Sequence, residues 1–252
     1  MSILRKDYRH SASRGNAFVE SPAYWIITEL FNYEEKPNAR MVMGLAAEKG
    51  AIEGLNGGDK RDILKATSKE FDSLYKEECD EVIWAVEIAL RFTESLKEFG
   101  KVVSYQNEKI YEDDKLKYPI KCITDFEFND CIIDTKATAY LKRLKSGKLD
   151  SNWYPKASDV RQQYLYKRIF NKPTMLLYTS PKDQEIVDMV DRIPDVDLLQ
   201  VFQTIEHICN IAKSKDEVVK MFPLTMDNFR WGKDETEAKK FARDVWNKVW
   251  KQ

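Results

Sequence analysis

Residues 120–138 read IKCITDFEFNDCIIDTKAT, and this stretch decides the fold. Two runs rich in β-branched and aromatic residues flank Asn129-Asp130, which reads as a two-residue hairpin loop. In a strand, alternate residues share a face. Ile120, Cys122, Thr124, Phe126 and Phe128 therefore fall on one side, with Lys121, Ile123, Asp125 and Glu127 on the other. In the second run Ile132, Asp134, Lys136 and Thr138 share one face, while Cys131, Ile133, Thr135 and Ala137 share the opposite one. A two-residue loop pairs residue 128 with 131, and counting back along the ladder sets Asp125 opposite Asp134. Two carboxylates held roughly 5 Å apart repel unless a cation sits between them. Oxygen ligands of this kind suit Mg²⁺ or Mn²⁺. An isolated D-x-K tripeptide also fits ordinary solvent-facing strand residues whose lysine neutralises the acids.

Outward from the hairpin, a further strand is expected after Val102, ending near Glu112 to Lys117. A helix is expected from about Ser158, as N-cap, to Phe170, followed by Pro173 and an apolar strand from Met175 to Tyr178. Upstream, Trp84, Ile88, Phe92 and Leu96 recur every fourth residue and are closed by Gly100. Downstream, residues 195–213 and 236–250 return to helix. No repeat, low-complexity tract or flexible linker interrupts the chain. The expectation is one domain over residues 1–252: a helical part at 1–100, an αβ core at 101–180 and a helical part at 181–252.

Between Arg40 and Leu55 the apolar residues Met41, Leu45, Ile52 and Leu55 mark a helical stripe, and its remaining slot is Glu48. A carboxylate on a buried stripe needs a partner, either a metal or a lysine, because an unpaired buried charge costs several kcal/mol. A stripe edge from which Glu48 reaches solvent accounts equally well for the periodicity. Gly44, one turn earlier, is expected to admit another backbone closely.

The 252 residues are 43% hydrophobic, enough for a real core, and carry a formal net charge of −1, so any nucleic-acid partner requires a local basic patch. The four cysteines lack a C-x-x-C pair and read as small buried hydrophobes. Two separated histidines, His10 and His207, disfavour a histidine-rich zinc site. No secretory signal or membrane-length apolar run is visible, so a cytoplasmic protein without membrane contact is expected.

Five segments in order resemble the RecB-type nucleases of the PD-(D/E)XK superfamily. Ser11-Ala12-Ser13, Phe18 and Ser21-Pro22-Ala23-Tyr24-Trp25 look like the opening segment, with Ser21 in place of the usual cysteine. Gly44-Leu45-Ala46-Ala47-Glu48 is similar to the G-x-x-x-H helix motif, with glutamate at the histidine position. Lys121 to Asp125 matches the strand that ends in the first aspartate, although the glycine usually found before it is absent. Ile132-Ile133-Asp134-Thr135-Lys136 resembles I-I-D-x-K, and Gln162-Gln163-Tyr164-Leu165-Tyr166 resembles Q-x-x-x-Y. The likeness spans residues 11 to 180.

The resemblance implies an α/β fold with a restriction-endonuclease-like core, a central mixed sheet flanked by helices, and helical additions at both ends. It implies a Mg²⁺- or Mn²⁺-dependent deoxyribonuclease, an exonuclease acting in DNA recombination, repair or replication. A structure-specific or restriction-type endonuclease, and an inactive DNA-binding accessory protein, share the same core. Asp125, Asp134, the Thr135 carbonyl and Glu48 would hold metal, Lys136 would position the attacking water, and Gln162 and Tyr166 would hold DNA. Some relatives carry an iron–sulfur cluster; Ser21 and the cysteine-free segment Phe222 to Trp231 make one unexpected here.

Residues 135–172 hold ten Lys or Arg against Asp150 and Asp159, a net of +8. Lys142, Arg143, Lys145 and Arg161, interleaved with Tyr140, Trp153 and Tyr154, are the expected contacts to single-stranded DNA or duplex ends. A recombination partner protein or a second copy of the chain is a further expected partner.

Overall fold

The computed structural model describes residues 3–251. In chain order it comprises α1 (Ala12–Glu20), α2 (Pro22–Trp25) running into a π-helical turn (Ile26–Leu30), α3 (Ala39–Leu55), α4 (Lys60–Leu74) and α5 (Glu81–Lys97). There follow β1 (Ser104–Tyr111), β2 (Ile120–Glu127), β3 (Ile132–Ala137), α6 (Ala157–Phe170), β4 (Thr174–Thr179), β5 (Gln184–Asp188), α7 (Leu198–Ile211), α8 (Lys215–Met221), a 3₁₀ turn (Phe229–Trp231) and α9 (Glu237–Trp250). The five strands form one mixed sheet in sequential order, with β2/β3 antiparallel, β3/β4 parallel and β4/β5 antiparallel. Helices flank this α/β sheet.

The chain divides into two compact units. One holds Lys36–Glu108 and Ile123–Ile193; the other holds the described residues up to Glu35, Lys109–Cys122 and those from Pro194 on.

In the sheet-bearing unit, the hairpin register follows the two-residue loop. Phe126 pairs with Ile133 and Glu127 with Ile132, and the Phe128 amide donates to Cys131 O at 2.8 Å. One face of the sheet carries Phe126, Phe128, Ile133 and Leu177 against α3, α4 and α5. The other carries Leu176 and Tyr178, with Val160 of α6 packed on them. Because β3 is covered on both faces, Ile132 to Thr135 are all buried. The parallel register Asp134↔Leu176 and Lys136↔Tyr178 places the acid and the lysine on the α6 side, and Thr135↔Leu177 turns Thr135 toward α3.

Helix α3 starts at Asn38, whose side chain accepts the Met41 amide at 3.0 Å. Its core face is Val42, Met43, Ala46, Ala47, Gly50, Ala51 and Gly54, which corrects the expected stripe: Met41 and Leu45 are 51% and 47% exposed. Small residues dominate the buried side because α3 lies close to α4 and α5, so the larger apolar residues fall elsewhere. The expected close approach at Gly44 is also corrected. A Cβ there would meet only the Ala137 Cβ at 3.7 Å, whereas at Gly50 it would lie 2.0 Å from Thr67 Oγ1 and 2.9 Å from the Ala89 Cβ.

Helix α6 begins at Ala157 after Lys156, with no capping side chain, so Ser158 is not its N-cap. It ends on Asn171 in the left-handed region, φ +53°. Strand β5, with sequence QEIVD, lies outside the expected elements. It is an edge strand with one half-exposed face, too short and polar to stand out by periodicity.

In the other unit, Glu206 on α7 gathers three partners: His10 Nε2 at 2.9 Å and the backbone amides of Lys117 and Tyr118 at 2.8 and 2.9 Å. His10 is fully buried and stacks on Phe202. Burial lowers its pKa, with the hydrogen bond to the Glu206 carboxylate opposing that shift. The cysteines are free, three of them buried. Among the described residues no helix is long and apolar enough to cross a membrane.

Candidate active site

The β2/β3 backbone pairing runs through Glu127↔Ile132 to Phe126↔Ile133. One position further, where the register sets Asp125 opposite Asp134, a side chain takes over from the backbone ladder. The Asp125 carboxylate accepts the Thr135 amide at 2.7 Å and the Thr135 hydroxyl at 3.0 Å. That hydroxyl also lies 3.2 Å from Glu48 Oε1, which reaches down from α3. On the other face, Lys136 Nζ pairs with Asp134 Oδ2, and Gln162 of α6 sits 3.5 Å from both Lys136 Nζ and Asp134 Oδ1. Gln162 is held in turn by Tyr166, whose hydroxyl accepts its amide at 3.1 Å and donates to Ile123 O at 2.7 Å. The end of β3 thus brings together Glu48, Asp125, Asp134, Thr135, Lys136 and Gln162 from four elements.

The electrostatics are those of crowded, desolvated acids. Burial, then the neighbouring Asp125, pushes the Asp134 carboxyl up to about 8. Burial, then Glu48, raises Asp125 to about 6. Burial, then Asp134, raises Glu48 to about 7, although its stem is only half-buried. For Lys136 burial works against the charge, but Asp134 and then Asp159 outweigh it and lift the ammonium pKa. Three carboxyl groups crowd one ammonium, and burial together with their mutual repulsion favours their protonated forms.

Among the described residues no three acidic, histidine or cysteine side chains already converge as a metal cage. Asp134 is instead engaged by Lys136, and Asp125 by Thr135. The donor set is nevertheless all oxygen and short of positive charge, which suits a hard divalent cation.

An open groove of about 300 Å³ lies over Glu48, Thr135 and Lys136. Met41, Gly44 and Leu45 line its α3 wall and Tyr154, Lys156, Asp159 and Tyr178 the opposite one, with Arg40 at the rim. The stripe on which the sequence places Glu48 is real, but it faces this groove. Asp159 and Tyr178, absent from the expected site, are buried and joined by a 2.5 Å hydrogen bond beside Lys136. The parallel register that sets Tyr178 beside Lys136 comes from the fold, and nothing in the sequence marked Asp159 or Tyr178 as part of the site.

The remaining expected DNA contacts scatter. Tyr166 is buried, its hydroxyl committed to Gln162 and Ile123. Arg161 is 5% exposed and so withdrawn from the surface. Arg143 is held by Asp183 at 2.5 and 2.8 Å and Glu185 at 2.9 Å, besides the Gly147 carbonyl at 2.8 Å. Lys142 pairs with Asp150 at 3.4 Å and lies over the Trp153 ring. Lys145 is exposed, as are Tyr140 and Trp153. In the other unit, Ser21 Oγ caps α2 by accepting the Tyr24 amide and also accepts the Trp231 indole N–H at 3.1 Å. The two segments the sequence singled out as departures from cluster-bearing relatives therefore meet directly.

No protein-family model matches the chain, and no curated protein matches it significantly. Among solved structures it is similar to a protein from Eubacterium rectale named "Putative exonuclease", at 18% identity and a TM-score of 0.49, covering 84% of this chain and 80% of that one. It is also similar to the structure of SSO0001, at 14% identity and a TM-score of 0.36, covering 81% of this chain and 91% of that one. With identities this low and TM-scores below 0.5, the functional reading rests on the geometry of the site.

Proposed function

We propose that the chain is a metal-dependent DNA nuclease with a PD-(D/E)XK-type core, hydrolysing phosphodiester bonds as an exonuclease. The observation that supports this reading is that Glu48 and Asp125 both meet the Thr135 side chain while Asp134 meets Lys136 at the end of β3. Asp125, Asp134 and Glu48, with the Thr135 carbonyl, would hold Mg²⁺ or Mn²⁺. Such an ion, when bound, lowers the pKa of water and offsets negative charge on the phosphoryl transition state. Filling the site would release Asp134 from Lys136, leaving the ammonium free to orient the nucleophilic water or the phosphate oxygen. Gln162, bonded to Tyr166, fixes the wall from which Lys136 is approached. The phosphodiester strand would lie in the groove lined by Arg40, Lys156 and Tyr154.

The test is Mg²⁺- or Mn²⁺-supported digestion of end-labelled linear DNA against covalently closed circular DNA of the same sequence, with chelator controls. Release of mononucleotides or short products from linear DNA alone is expected. Cleavage of the circle at equal rate moves the assignment to an endonuclease, and cleavage undiminished by chelator contradicts the metal reading.

A further inference from the structure

A second groove, of about 460 Å³, lies in the sheet-bearing unit and plays no part in the site described above. Its walls come from three places: Ile83 and Trp84 on α5, Tyr140 and Leu141 in the segment after β3, and Pro181 and Lys182 in the turn joining β4 to β5. The walls are tied in place. The Tyr140 carbonyl accepts the Thr138 hydroxyl at 3.1 Å and the Tyr154 hydroxyl at 3.3 Å, Arg91 Nε on α5 donates to Pro181 O at 3.0 Å, and Arg143 holds Asp183 of the same turn at 2.5 and 2.8 Å. Large apolar side chains between these ties stay open to solvent, Tyr140 at 67% and Ile83 at 59%. Among the described residues no aromatic ring packs on Tyr140 or Trp84. An apolar groove of this size, held open by its own backbone, has the character of a binding site.

Its neighbourhood points to the occupant. Lys136, Ala137 and Thr138 line the active-site groove and Ala139, Tyr140 and Leu141 the second one, so one unbroken segment joins the two. Lys136 and Tyr140 are at most about 14 Å apart along it, a few nucleotides of a single strand. The exposed Lys145 and Lys148 follow on the same stretch of chain, where they can meet phosphates. Within the groove Lys182 and Glu87 supply one charge of each sign, which suits the polar edge of a base better than a phosphate. We propose that this groove is a base-stacking subsite for unpaired nucleotides of the DNA strand that runs out of the active-site groove, with Tyr140 and Trp84 as its stacking faces. The inference rests on the DNA-binding part of the reading above and not on the metal. Stacking on an aromatic ring tolerates any sequence, because every base offers a π face.

The test is fluorescence anisotropy of a labelled single-stranded oligodeoxythymidylate, about 12 nucleotides long, bound to the full-length protein in chelator, against the same strand carrying abasic sites. Wild type is expected to bind the intact strand about 10-fold or more tightly than the abasic one. Tyr140→Ala is expected to lose that margin, binding the intact strand about 10-fold more weakly and the abasic strand unchanged, while Tyr140→Phe, which keeps the ring, matches wild type. Because the side chain is exposed, both variants are expected to melt at the wild-type temperature. A wild-type protein with no margin between the strands, or a folded Tyr140→Ala protein that keeps it, overturns the subsite and leaves the groove to another occupant, such as an apolar peptide. Wild type that binds no single-stranded DNA overturns the DNA-binding reading and the subsite together, whereas binding without cleavage once metal is restored counts against the nuclease chemistry alone.

Discussion

The most telling residue is Asp134, 1% exposed, facing a lysine two residues on and crowded by Asp125. Asp134→Ala is expected to lose both Mn²⁺ binding and cleavage, and Lys136→Ala to lose cleavage by roughly 10²- to 10³-fold while still binding Mn²⁺. Circular dichroism confirms folding in each case, and equal metal affinity in Asp134→Ala and wild type would remove Asp134 from the ligand set. Glu48 offers a pH test. Its carboxyl rises from 4.5 to about 7. The folded, metal-free protein therefore holds a proton there that the unfolded chain releases at lower pH, and this contribution to stability is present below about pH 4.5 and lost as pH rises through 7. Glu48→Gln should match wild type in melting temperature near pH 5 and exceed it at pH 8, by at most about 3 kcal/mol of unfolding free energy. Parallel curves at both pH values would return Glu48 to an ordinary solvent-facing acid. The side-by-side placement of Asp125, Asp134 and Lys136 was legible in the sequence because strand alternation and a two-residue loop fix the faces with little freedom. The β1 bulge at Gln106 was not, since nothing local in Ser104 to Asn107 announces a distortion whose pins come from Glu127 and Asn56, far along the chain.

At the scale of elements, the hairpin and β3–α6–β4 followed directly from patterning, whereas α3 did not. Its apolar stripe through Met41 and Leu45 faces the groove, and its true core face is built from alanines and glycines that a search for large hydrophobes passes over. The contrast predicts opposite outcomes for two similar substitutions. Gly50→Ala drives a methyl into Thr67 Oγ1 and Ala89 and should cost about 1–3 kcal/mol or more, outweighing the gain in helix propensity. Gly44→Ala meets only the Ala137 Cβ at 3.7 Å and should stabilise by up to about 1 kcal/mol. Denaturant melts of both variants check this, and a destabilised Gly44→Ala with a neutral Gly50→Ala would mean that α3 is packed the other way round. Strand β5 escaped the sequence because it carries only two apolar residues, and its pairing with β4 is set by backbone hydrogen bonds that leave no mark on composition.

For the whole molecule, the basic segment was visible as charge but not as geometry. Arg143 and Arg161 are drawn inward, and what remains outward is Lys145 and Lys148, near Lys142 over Trp153. Replacing Lys145 and Lys148 with alanine should flatten the salt dependence of DNA binding by up to about one logarithmic unit per lost phosphate contact and leave the fold intact. Arg143→Ala should chiefly lower the melting temperature, because it strips Asp183 and Glu185 of their partner. Binding isotherms across a salt series distinguish the two, and an unchanged slope in the lysine variant would place the DNA path elsewhere. The central claim is that buried carboxylates at the end of β3 bind a divalent cation for phosphodiester hydrolysis. Its most direct test is the single-turnover rate of end-labelled DNA cleavage at saturating Mn²⁺, measured for wild type and for Asp134→Asn, which keeps the shape of the side chain. The account predicts metal-dependent cleavage by wild type and a loss of at least about 10²-fold in the folded variant; no cleavage by wild type at any Mn²⁺ or Mg²⁺ concentration, or an undiminished rate in Asp134→Asn, would contradict it.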